Sequence, residues 1–220
     1  MKTIADQDFG TITPDRTALV ARGRRLEYLT LGWNGLEAAV ALAAGAAAGS
    51  VALVGFGLDS VIEMASAAIL LWRLAVDSAA SRERSERRAH RLADACLLAL
   101  ACYITAESVR ALWVRSVPER SVAGIAIAIA ALIVMPLLGR AKRSVARKLG
   151  SGALHSDSRQ ADFCAYLSAI LLLGLLLNWL LGWWWADALA ALVMVPIIAR
   201  EGVQGWRGIS CSGCASDILK

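Results

Sequence analysis

VALVGFGLDSVIEMASAAILLWRLAV, residues 51–76, is an apolar run that carries two carboxylates, Asp59 and Glu63. An α-helix needs about 20 mostly apolar residues to cross roughly 30 Å of hydrocarbon, and this run is long enough. Residues four apart lie on one helical face, so both carboxylates point the same way. Ser60 and Ser66 accompany them between Gly57 and Ala67. A carboxylate facing lipid is costly, and acidic groups at membrane depth face a cavity or a partner. Two adjacent carboxylates repel when ionised unless a cation neutralises them or one holds a proton. That is the requirement for a site that trades a metal for protons.

Working outward, the run at residues 31–50 precedes it and is interrupted by Glu37, with Gly49 and Ser50 at the junction. Residues 92–113 carry Asp94, Glu107 and Arg110, residues 122–138 are uncharged, and residues 163–181 are almost wholly apolar. A shorter run at 183–198 has Asp187 near its start. The reading is an all-α membrane protein, a six-transmembrane-helix bundle. A cytoplasmic tail is expected over residues 1–27, the membrane domain over 28–200, and a second short tail over 201–220, too short to bury a core. Composition agrees: 58% of the 220 residues are apolar and 19% charged, whereas a soluble domain carries about 25% charged residues. Residues 1–30 lack the short apolar core and cleavage site of a signal peptide.

The net charge of +5 does not point to nucleic acid, because the basic residues sit in connections and form no compact basic domain. They cluster at 16–25, 82–91 and 140–148, against only Arg110, Arg115 and Arg120 on the opposite side. The positive-inside rule then places both termini in the cytoplasm of a multi-pass plasma (inner) membrane protein. Trp183, Trp184 and Trp185 fall at the outer boundary, where indoles prefer the headgroup level. Of the five cysteines, Cys96, Cys102 and Cys164 lie in spans and Cys211 and Cys214 near the end, which is no disulfide framework.

Two carboxylates on one helix supply only part of a metal shell. The remainder is expected just before the fifth run, in His155-Ser-Asp157-Ser158-Arg-Gln160-Ala-Asp162. Ser158 and Asp162 share a face, Asp157 is offset, and Ser158, Gln160 or water can complete a shell around Asp59, Glu63 and Asp162. Asn178 and Asp187 are candidates for an exit route, though Asp187 also reads as an ordinary cap. Asp162 also reads as a carboxylate favoured by a helix start. Glu37 reads as bonded to Asn34 or a neighbouring helix, and Glu107 with Arg110 as a pair. Cys211-Ser-Gly-Cys214 has thiolate-ligand spacing but is at most half of a tetrahedral site. Gly45 and Gly49 match a small-xxx-small contact. No phosphate-binding loop and no nucleophile–base arrangement is visible; an enzyme is not expected.

Asn34-Gly-Leu-Glu37, Gly57-Leu-Asp59-Ser-Val-Ile-Glu63 and the stretch from Asp157 through Ser168 together resemble the cation diffusion facilitator (cation efflux) family, over about residues 27–208. The resemblance is to a short form without the carboxyl-terminal cytoplasmic domain that many members carry. It implies a homodimer that exports zinc or a similar cation (Zn, Fe, Co, Mn or Cd) from the cytoplasm in exchange for protons, with no prosthetic group. It also implies a four-coordinate site of Asp59 and Glu63 from the second helix with Ser158 and Asp162 from the fifth. Ser158 stands where His or Asp is commoner, and Asp157 or water is its possible substitute. Two other classes remain open on the residues alone: a membrane interaction or assembly protein whose acidic face bonds another helix, and a transporter of an organic cation.

Overall fold

The computed structural model describes residues 14–75, 79–150 and 152–206. Among these the chain forms six helices: α1 (Pro14–Ala48), α2 (Val51–Ala75), α3 (Ala79–Val114), α4 (Val122–Leu149), α5 (Gly152–Leu181) and α6 (Ala186–Trp206). Four of them are long and apolar enough to cross a membrane: Val51–Ala68 of α2, Leu92–Val114 of α3, α4, and Asp157–Leu181 of α5. The other two predicted spans are helical but more polar. Asn34 and Glu37 dilute α1, and Asp187, Arg200 and Glu201 dilute α6. Both also run past the predicted spans, α1 back to Pro14 and α6 on to Trp206.

Local chemistry sets the turns. After α1, Gly49 adopts φ of +65°, a left-handed value that glycine takes without a Cβ penalty. The Ser50 N–H then donates to the Gly45 carbonyl at 3.0 Å, closing the helix end. Gly45 also lets the helices meet closely, since a Cβ there would sit 2.8 Å from the Val54 backbone nitrogen. Of the predicted glycine pair, Gly45 is therefore the contact and Gly49 the turn. Ser121 caps α4 by accepting from the Gly124 N–H at 3.0 Å, and Gly150 ends it in the left-handed conformation.

α4 packs along α5, α3 along α6, and α1 along α2; α1 also meets α4, and α2 also meets α3, α5 and α6. The shared core holds Phe56, Ile104, Met135, Leu167, Leu171 and Met194. α2 is the innermost of the four apolar helices, with half of its apolar window buried against 28–39% in the other three. Its carboxylates are consequently carried inside. Large aliphatic side chains such as Ile133, Leu137, Leu173 and Val193 face outward. Such a surface suits lipid, and the helices satisfy their own backbone groups there.

Candidate cation site between α1, α2, α4 and α5

Asp59 and Glu63 are both buried, 3% and 6% exposed. Neither is paired with a basic side chain among the described residues. α1 lays the Asn34–Glu37 face against them. Asn34 Nδ2 donates to Glu63 Oε2 at 3.1 Å. Glu37 is held by three donors: Trp33 Nε1 at 2.7 Å, Ser60 Oγ at 2.6 Å and Cys164 Sγ at 3.4 Å. Glu37 thus bonds to neighbouring helices, while Asn34 belongs to Glu63. Glu37 and Glu201 act electrostatically on Asp59, and Glu37, Asp59, Glu201 and Asp157 act on Glu63.

The ends of α1, α4 and α5 that hold the basic 140–148 cluster are differently organised. Lys142 of α4 is 1% exposed and donates to Glu27 of α1 at 3.2 Å and to Asp157 of α5. Burial and the charge of Asp157 raise the Glu27 carboxyl to about 7, partly opposed by Lys142. Glu27 Oε1 has no hydrogen-bond partner among the described residues. A small cavity lined by Thr30, Asn34, Glu63, Lys142, Asp157 and Gln160 joins this cluster to Glu63 of α2. In α6, burial and the charge of Asp94 raise Glu201 to about 7, against the opposing charge of Arg159.

The α5 residues do not close around Asp59 and Glu63 in this conformation. Asp162 is gripped by both terminal nitrogens of Arg143, with Nη2 to Oδ1 at 3.1 Å. Ser158 is fully buried, and its hydroxyl donates to the His155 carbonyl at 2.6 Å. Among the described residues, no three His, Cys, Asp or Glu side chains are grouped as a metal shell. Asp59, Glu63 and Ser158 are buried, Asp157 is partly buried beside Lys142, and Asp162 is held by Arg143 of α4. Cys211 and Cys214 lie outside the described residues.

Two exit-route candidates have structural partners. Asp187 accepts from Ser50 Oγ at 2.5 Å, from the Val51 N–H at 2.8 Å and from the Ala52 N–H at 3.4 Å, capping α2 from the start of α6. Asn178 Nδ2 donates to the Pro118 carbonyl at 3.1 Å. Glu107 and Arg110 pair with each other, as their spacing suggests.

Sequence reading missed Glu27, Lys142 and Cys164 as parts of this neighbourhood. Lys142 sits among basic residues that look like a topology signal. Its clue is periodicity: the buried stripe of α4 runs Ala128, Ala131, Met135, Gly139, Lys142, Val145, and Lys142 continues it.

The sequence model of the cation efflux transmembrane domain matches residues 28–205. No curated protein matches the chain. That match covers all six helices in whole or large part, including the α1–α2 motifs and the α5 stretch described above. The family is one of transporters and not of enzymes, and the chain belongs to it: this is a multi-pass membrane protein of the cation efflux family.

Proposed function

We propose that this chain is a proton-coupled exporter of divalent transition-metal cations. The observation that carries the reading is the pair Asp59 and Glu63, buried on one face of the innermost apolar helix and paired with no basic side chain among the described residues. In the same field lie Glu37, Glu201 and Asp157. Such a concentration of buried negative charge calls for a mobile cation or for protons. The cargo is a transition metal such as Zn, Fe, Co, Mn or Cd, and Asp59, Glu63, Ser158 and Asp162 are its ligands. Asp157 substitutes where Ser158 binds poorly.

In this reading all six helices cross the bilayer within a membrane domain of residues 28–200, both termini are cytoplasmic, and two copies work together. The basic clusters beside α1, α4 and α5 support the orientation. The cytoplasm-facing site, with its carboxylates ionised, takes the cation. Rocking of the bundle then turns the site outward, where protons replace the metal on Asp59, Glu63 or Asp162. Two coupled carboxylates exchange one divalent cation for protons without leaving net charge stranded in the interior. Binding therefore requires Asp162 to leave Arg143 and move towards α2.

The test is metal uptake into proteoliposomes under a pH gradient, screened over Zn, Fe, Co, Mn and Cd, with Asp59→Asn as the control. Uptake that follows the gradient and collapses in the control supports the proposal. Full uptake by Asp59→Asn removes the site, and no uptake of any metal by folded protein removes the transport reading. In that last case an organic-cation cargo or an assembly role for the acidic face is next to be tested.

A further inference from the structure

Asn34 presents an atom that its fold leaves unused. The residue is 1% exposed, and its Oδ1 is buried with no hydrogen-bond partner among the described residues. With Glu63 ionised, the state that would hold a cation, Nδ2 faces Glu63 Oε2 at 3.1 Å, because the flipped amide would set two acceptors together. Leaving a buried amide oxygen unpaired is costly, so such a group calls for an explanation. Asn34 lines the same small cavity as Glu63 and Asp157. Thr30, Glu63, Asp157 and Gln160 also bring oxygen atoms to that wall, Asp157 sharing its carboxylate with the Lys142 ammonium, which lines the cavity too, and Met135 contributes the wall's only sulfur. Cys164, the buried thiol nearby, is turned to Glu37.

We infer that Asn34 is itself a cation ligand through Oδ1, beside its role as anchor of Glu63, and that the cavity takes an oxygen-coordinated divalent cation of the Mn2+ type. This rests on the transport reading above and adds to it a ligand from α1 and a class of cargo. A neutral carbonyl-type oxygen suits hard and borderline cations, which accept amide oxygens beside carboxylates. A softer ion such as Cd2+ gains little from it. The α1 oxygen also completes part of a shell that Asp59 and Glu63 cannot build from one helix.

Two substitutions separate ligation from anchoring. Asn34→Leu removes both the oxygen and the donor to Glu63. Asn34→Asp keeps the oxygen and loses the donor. Mn2+ binding to the purified full chain, read from the loss of the free-ion EPR signal, should weaken at least ~10-fold in Asn34→Leu, the scale seen when a group supporting a metal site is lost. Asn34→Asp should bind Mn2+ as tightly as the wild type or more so. Cd2+ affinity should change less than Mn2+ affinity in Asn34→Leu. If that variant does not yield folded protein, Asn34→Ala lacks the same oxygen and carries the same expectation. Equal losses in the Leu and Asp variants would mean that Asn34 only anchors Glu63, and unchanged binding in both would remove it from the site; either overturns the inference while wild-type transport stands. A wild-type chain that neither binds Mn2+ nor transports any metal overturns the inference together with the transport reading.

Discussion

Arg143 of α4 holds Asp162 of α5 with both guanidinium terminal nitrogens, and so keeps this carboxylate apart from Asp59 and Glu63. The pair is partly exposed, 28% and 37% by side chain, so it is a modest clamp. An ion pair in such a setting is worth up to ~1 kcal/mol. Arg143→Gln should therefore release Asp162 and lower the metal concentration for half-maximal transport, by up to about fivefold on that energy. Proteoliposome titrations of both proteins measure it. A higher half-maximal concentration in the variant would show that Arg143 helps the cation in and does not compete with it.

The Lys142 cluster is held more tightly. Lys142 and Glu27 are both 1% exposed, and Asp157 shares the ammonium. Removing one member of a buried pair leaves an uncompensated charge, at about 3–5 kcal/mol. Lys142→Met should lower the thermal midpoint sharply in detergent. Adding Glu27→Gln and Asp157→Asn to it should restore most of the loss, because no charge is then stranded. A triple variant as unstable as the single one would show that Lys142 acts through packing of its aliphatic stem.

Glu27 and Glu201 give stability a pH dependence whose sign follows from their shifts. Both carboxyls are raised from 4.5 to about 7 by burial first, and then by Asp157 and Asp94 respectively. The native state then binds more protons than the unfolded chain between these values, so each contribution is fully present below about 4.5 and is lost as pH rises through about 7. The thermal midpoint should fall as pH is raised from 5 to 8, and the slope should flatten in Glu27→Gln and in Glu201→Gln. Melting curves of the three proteins at matched ionic strength test it. An unchanged slope in both variants would assign the dependence to other groups.

Asp187 should matter for stability and not for cargo. It receives three hydrogen bonds at the start of α2, and the loss of a helix cap costs about 0.5–2 kcal/mol. Asp187→Ala should lower the thermal midpoint while leaving metal affinity near the wild type. A large loss of affinity at unchanged stability would return Asp187 to the transport route.

Much of this molecule was legible before any coordinates. Hydropathy marked a run within each of the six helices, four of them long and apolar enough to cross a membrane, because a run of apolar residues near bilayer length has few other stable environments. The depth of Asp59 and Glu63 within such a run, and their shared face, follow from helical geometry. Asn34, Glu37 and the α5 stretch were visible as polar interruptions. What they bond to was not. Spacing could not say that Asn34 reaches Glu63 and Glu37 reaches Ser60 and Cys164, since those pairs depend on how α1 rotates against α2 and α5. Lys142 was hidden in a basic cluster, and only the packing of α1, α4 and α5 makes it a buried counter-charge. Asp162 shares a face with Ser158 by sequence, yet Arg143 decides where its charge is spent. The sequence by itself determined which segments are helices and which of them bring carboxylates to membrane depth, because helix period and hydrocarbon thickness are local constraints. The tertiary structure alone decided which charges are paired and which have no basic partner among the described residues, because ion pairs form between helices whose mutual rotation no local pattern encodes.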